Sequence, residues 1–208
     1  SSGDLNNFYL LKYIKSFKKP IIISTGLFEI KDLKKTLKFL DYDKKKLAIL
    51  HCISSYPTKL LNTQLSNINE IKKFKYPVGF SDHTIGKDAS ISALSLGARI
   101  FEKHITLNNK SKGPDHSSSL PASETKSFIS TLNELDISLK TKDRKLTFEE
   151  INNKKLVTRS IYFSNDFQKN HKIKEEDIIP LRPFKKGFPI ENFKRLIGEK
   201  IKYRVKKY

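Results

Sequence analysis

The feature that most constrains the fold is a pattern repeated through the first 140 residues: a short apolar run, a polar turn, then apolar residues at helical spacing. Pro20 to Ser24 is predicted as a buried strand, followed by a Thr25-Gly26 turn. Ile30, Leu33, Leu37 and Leu40 then share one helical face across 29–40. Leu47 to Cys52 is the next strand, and Leu65, Ile68 and Ile71 mark the next helix. Pro77 to Phe80 is the third strand, closed by Ser81-Asp82-His83-Thr84. Ala89, Ile91, Ala93, Leu94 and Leu96 give an apolar helix, and Arg99 to Phe101 opens a fourth strand that ends near His104. Strands alternating with helices predict parallel βαβ units, hence an α/β class. Four such strands fit half of an eight-stranded barrel, or part of an open doubly wound sheet. No glycine-rich phosphate fingerprint follows any strand, which weakens the dinucleotide-binding version.

The pattern stops after a polar loop over 108–119 and a helix of about 14 residues starting near Pro121-Ala122-Ser123-Glu124. Lys140 to Lys145 is entirely polar and reads as part of a linker over 140–150. Beyond it, Ser160-Ile161-Tyr162-Phe163 reads as a short strand and 173–178 as a turn with a short helix, while Pro180, Pro183 and Pro189 punctuate the rest. The expectation is a partial barrel over 1–139 and a small loop-rich domain over 151–208.

The net charge of +19 comes from lysine, because only six arginines are present: Arg99, Arg144, Arg159, Arg182, Arg195 and Arg204. Nucleic-acid readers concentrate charge and favour arginine. Lysine spread along the whole chain predicts solubility and weak non-specific binding, with no specific nucleic-acid partner. No apolar stretch approaches ~18 residues, so no transmembrane helix and no membrane partner are expected. The single Cys52 excludes an intramolecular disulfide and reads as a buried small hydrophobe, and the cytoplasm is the simplest compartment. No methionine is present, so the chain is expected to be a fragment of a longer product.

Polar groups stand at or just after every strand end: Ser24, then Ser54 and Tyr56, then Ser81 and His83, then His104. In a barrel those positions form the catalytic face. His83 and His104 lie one βα unit apart, and adjacent strands are ~4.8 Å apart, so the two imidazoles could share a divalent cation. The alternative is two loop histidines with ordinary hydrogen bonds. Glu102 points the same way as His104 by strand alternation, as a site carboxylate or a buried structural one. Asp115 is a candidate for a sugar hydroxyl or the metal, and equally a turn aspartate. Ser2, Ser24 and Ser81 are candidate donors to phosphate or carboxylate, or loop serines. Arg182 could hold a carboxylate, phosphate or amide oxygen, or lie free on the surface.

As an ordered set, these segments resemble the sialic acid synthase family, which includes legionaminate and pseudaminate synthases. The strings that carry the resemblance are Lys19-Pro20-Ile21-Ile22-Ile23-Ser24-Thr25-Gly26, Leu50-His51-Cys52 with Tyr56-Pro57, Gly79-Phe80-Ser81-Asp82-His83-Thr84, Glu102-Lys103-His104 and Gly113-Pro114-Asp115-His116. The tail with Arg182-Pro183 resembles that family's antifreeze-like domain. The resemblance implies a TIM (β/α)8 barrel of which strands five to eight are present, followed by that domain. It implies condensation of phosphoenolpyruvate with an N-acetylated amino sugar. His83 and His104 would bind manganese or magnesium, and Ser2, Ser24, Ser54 and Ser81 would line the phosphoenolpyruvate site. Tyr56, Asp115 and Glu102 would face the sugar or the metal. Arg182 would reach the partner's barrel in a domain-swapped homodimer. The sequence departs from the family pattern at Asp4, where glutamate is more usual, at Ser54, where asparagine is, and at Phe184-Lys185-Lys186-Gly187, where small residues are. Rival readings are another phosphoenolpyruvate-condensing barrel, an inactive fragment and a non-catalytic basic binding protein.

Overall fold

A computed structural model describes residues 1–141, 143–182 and 187–208, so Pro183 to Lys186 lie outside the described residues. The chain divides into two compact units, Ser1–Lys142 and Asp143–Tyr208.

The first unit is built on four parallel strands in sequence order: β1 (Ile21–Ser24), β2 (Leu47–Cys52), β3 (Val78–Asp82) and β4 (Ile100–Lys103). The connecting helices are α2 (Ile30–Leu40), α3 (Asn67–Lys72) and α4 (Asp88–Ser95); α1 (Phe8–Ser16) precedes β1. The in-order parallel arrangement is that of a curled half-barrel, and the open doubly wound alternative is set aside. Alternation along β1 explains its burial. Ile21 and Ile23 join the core formed with Leu33, Leu37 and Leu40 of α2, whereas Ile22 is 58% exposed on the opposite face. Every residue of β2 is buried. Each fully buried aliphatic side chain here contributes about 1.5–3 kcal/mol, so this layer is what holds the strand ends in place. Gly79 permits the close approach of β3 to β4: a Cβ there would fall 2.2 Å from the carbonyl oxygen of Ile100.

Beyond β4 come two short paired strands, β5 (Ile105–Thr106) and β6 (Leu120–Pro121), and then α5 (Ala122–Lys140), whose Phe128 and Leu132 pack with Leu94 and Leu120. At 19 residues α5 is longer than its apolar pattern suggests. The helix α1 was not anticipated, although Leu10, Leu11 and Ile14 stand at helical spacing; Leu11 is buried and Ile14 packs against the core.

The second unit contains α6 (Phe148–Val157) and a three-stranded antiparallel sheet, with β7 (Ser160–Phe163) between β8 (Ile178–Leu181) and β9 (Phe188–Pro189). A four-residue helix, α7 (Phe193–Leu196), follows. Ile161, Ile173 and Ile201 are its buried apolar residues. The helix α6 buries no residue, so it had no apolar periodicity to read; a reciprocal cap between Thr147 and Glu150 fixes its start. Among the described residues no helix is long and apolar enough to cross a membrane.

Candidate active site at the strand ends

Parallel register sets the site. Cys52 of β2 is paired with Ser81 of β3, and Ser81 with Glu102 of β4, so the three stand side by side on one face. Ser81 Oγ donates to Glu102 Oε1 at 2.6 Å, a charge-assisted bond that fixes the carboxylate. His83 and His104 follow directly after β3 and β4, and their rings meet edge to face with centroids 5.4 Å apart. The Tyr56 ring lies 4.1 Å from that of His83 and 5.7 Å from that of His104. Ser1, Ser2, Ile22 and Ser24 complete a cleft of about 280 Å³ with Tyr56, Ser81, His83, Glu102 and His104.

The hydrogen bonds around each imidazole define its orientation. His83 is buried, with Nδ1 2.8 Å from the carbonyl oxygen of Ile53. Donation from Nδ1 to that carbonyl leaves Nε2 as the free lone pair, the arrangement commonly seen behind metal-bound histidine. Ser81 Oγ lies 3.5 Å from Nε2. Burial works against the charged ring of His83, but the neighbouring Cys52 thiol, the Ile53 carbonyl and Glu102 outweigh it and raise its pKa. His104 Nδ1 lies 3.7 Å from Asp115 Oδ2. His51 is a different case: its Nε2 is 2.7 Å from the Thr63 carbonyl, and burial lowers its pKa despite that bond. It is a structural histidine.

The sequence-predicted residues divide accordingly. Ser2, Ser24, Tyr56, Ser81, Glu102, His83 and His104 line one cleft. Asp115 has positive φ, 71°, and stands beside His104. Ser54 abuts Gly26 instead of the cleft wall: a Cβ on Gly26 would fall 2.2 Å from Ser54 Oγ, 2.8 Å from Ser2 Oγ and 3.0 Å from Cys52 Sγ. Gly26 therefore lets the turn after β1 close down onto the first serine turn. Arg182 belongs to the second unit, where it lines a groove with Lys154, Lys155 and Arg159.

Sequence reasoning read Cys52 as a buried hydrophobe. It is buried, and it also touches the site, with Sγ 3.6 Å from Ser2 Oγ and 3.9 Å from His83 Nδ1. Ser1 and Ile22 are the other lining residues not anticipated.

The donor set suits a divalent cation that accepts nitrogen and oxygen. The neighbouring rings of His83 and His104 would supply two imidazole donors of the kind such a cation accepts. Among the described residues no three His, Cys, Asp or Glu side chains gather as a metal-binding group. Protein ligation would thus rest on the histidine pair, leaving other positions for oxygen ligands.

Comparison with known proteins identifies the family of the chain. The profile of the NeuB family matches residues 1–144. The chain is 32% identical over 192 residues to the N,N'-diacetyllegionaminic acid synthase of Legionella pneumophila, covering 88% of this chain and 53% of that protein. It is 32% identical over 209 residues to a pseudaminic acid synthase of Campylobacter jejuni, covering 99% of this chain and 60% of that protein. The crystal structure of N-acetylneuraminic acid (sialic acid) synthetase from Leptospira borgpetersenii superposes with a TM-score of 0.66 at 27% identity, over 73% of this chain and 54% of that one. The chain thus spans between about half and three fifths of the length of these curated relatives. Successive strand ends deliver Ser24, Ser81, His83, Glu102 and His104 to one cleft, and the profile match over residues 1–144 makes the chain a member of the NeuB family.

Proposed function

We propose that the chain forms the C-terminal part of a synthase that condenses phosphoenolpyruvate with an N-acetylated amino sugar, giving a nonulosonic acid and phosphate. The observation that carries this is the single cleft formed by His83, His104, Glu102 and Ser81, in a chain of the NeuB family. His83 and His104 would hold manganese or magnesium, which when bound polarises the sugar's carbonyl oxygen. Ser2, Ser24 and Ser81 would orient the phosphoenolpyruvate phosphate and carboxylate, with Ser54 supporting the turn behind them. Tyr56 and Asp115 would align the sugar, and Glu102, fixed by Ser81, would manage a proton at the reacting oxygen. The enol carbon adds to the carbonyl carbon, water adds to the resulting cation, and phosphate leaves. Holding both reactants on one rigid rim supplies much of the rate.

In this reading residues 1–139 are strands five to eight of a TIM barrel, 140–150 a linker and 151–208 an antifreeze-like domain. Arg182 would reach the amino sugar's N-acetyl group across a domain-swapped homodimer in the cytoplasm. The NeuB profile match over residues 1–144 favours this reading over other phosphoenolpyruvate-condensing barrels. The test is phosphate release from phosphoenolpyruvate with a panel of N-acetylated hexosamines and manganese or magnesium, on the chain and on the complete product of its gene. Release with one sugar supports the proposal; none from the complete product with any of them overturns it.

A further inference from the structure

A second cluster of polar groups lies on the far side of the strands from the two imidazoles. Between the inward pair Ser81 and Glu102 and the histidines that follow lies one outward pair in register, Asp82 on β3 and Lys103 on β4. Asp82 is 1% exposed, and its side chain forms an ion pair with Lys103, Nζ to Oδ2 at 3.0 Å, with both side chains buried. Thr84 donates to Asp82 Oδ1 through its N–H at 2.8 Å and its hydroxyl at 2.7 Å. Ser90 of α4 donates to Oδ2 at 2.6 Å, and Lys103 Nζ also donates to the Thr84 carbonyl at 2.8 Å. The carboxylate is thus fully satisfied, and the two strand ends are tied to each other and to α4.

We propose that Asp82 and Lys103 are positioning residues for the histidine pair. Each sits directly before one of the histidines, so the ion pair fixes the backbone from which each ring departs. Thr84, on the other side of His83, is held by the same carboxylate, so His83 is clamped at both neighbours. A buried ion pair is poor evidence of stabilisation, since an apolar or neutral pair of similar size often folds as well. Its place beside the site fits a role in imposing geometry there. The inference rests on the reading of His83 and His104 as the working pair.

The test uses this chain with Asp82→Asn and Lys103→Met combined, which removes both charges and leaves no buried ion unpaired. Ser90→Ala is the milder variant, chosen to keep the fold if the double variant loses it. Thermal unfolding reports the fold, and proton NMR reports the ring-to-ring contact of His83 with His104. Manganese alone, followed by paramagnetic broadening, reports the ion. The expected result is a folded variant in which the His83–His104 contact weakens and both sets of ring resonances shift, while His51 and His171 stay put. Manganese affinity then falls about 10- to 100-fold, the range typical for loss of outer-shell support. A folded variant with an unchanged ring contact and unchanged ring resonances overturns the inference. If manganese broadens no resonance of the unmodified chain, the metal reading of the site fails, and the ring contact alone still decides for or against the positioning role.

Discussion

Ser81 and Glu102 share a 2.6 Å hydrogen bond across two adjacent parallel strands, in register, on the face that carries the histidines. The bond orients the carboxylate, and in the proposed site a misplacement of about 1 Å costs roughly 100-fold in rate. Ser81→Ala is therefore expected to lower the rate of phosphate release by about 10- to 100-fold in the complete protein, with little change in the unfolding midpoint. Steady-state kinetics beside thermal denaturation checks this. An equal fall in stability and rate would assign the bond to folding instead.

A side chain at Gly26 is expected to crowd its neighbours. Its Cβ position lies within 3.0 Å of Ser54 Oγ, Ser2 Oγ and Cys52 Sγ. Gly26→Ala should cost about 1–3 kcal/mol through overpacking and should raise KM for phosphoenolpyruvate, because the serine turns must separate. Chemical denaturation and a phosphoenolpyruvate titration measure the two effects.

Much of the first unit was legible because its physics is local and repetitive. β1, β2, β3 and β4 are short apolar runs whose polar ends carry the chemistry, and Glu102 was placed by alternation alone. Most of what escaped had little local pattern to show. The helix α6 buries nothing, α1 buries only Leu11, and the cleft-side contacts of Cys52 follow from pairing between strands far apart in sequence. The same holds for Asp82 and Lys103, whose bond depends on register between β3 and β4.

In the second unit, Asp177 Oδ2 lies 2.7 Å from His171 Nε2 and accepts from the Lys174 N–H at 2.9 Å. Burial opposes ionisation of Asp177, but these two bonds outweigh it and hold its pKa below the usual carboxylate value. A depressed folded pKa contributes stability that is fully present above the unfolded value, about 3.9, and is lost as pH falls through the folded one. Unfolding midpoints of the second unit should therefore drop on acidification below about pH 4. Asp177→Asn should lower stability at neutral pH by roughly 1–2 kcal/mol and flatten that acid limb. An acid limb unchanged by the substitution would remove Asp177 from the account.

Thr147 caps α6 by accepting from the Glu150 N–H at 3.2 Å, while Glu150 accepts from the Thr147 N–H at 2.9 Å. With no buried residue to hold it, α6 depends on this cap. Thr147→Ala should cost about 1 kcal/mol locally and fray the helix, seen as faster amide exchange over 148–151 with β7 unaffected.

The most direct measurement is a manganese titration of this chain by electron paramagnetic resonance, beside His83→Ala and His104→Ala. The account predicts one bound ion in the unmodified chain and a loss of at least about tenfold in affinity for each variant, since each removes one of two imidazole ligands. Manganese that stays free over the unmodified chain, or binds all three proteins alike, would contradict it.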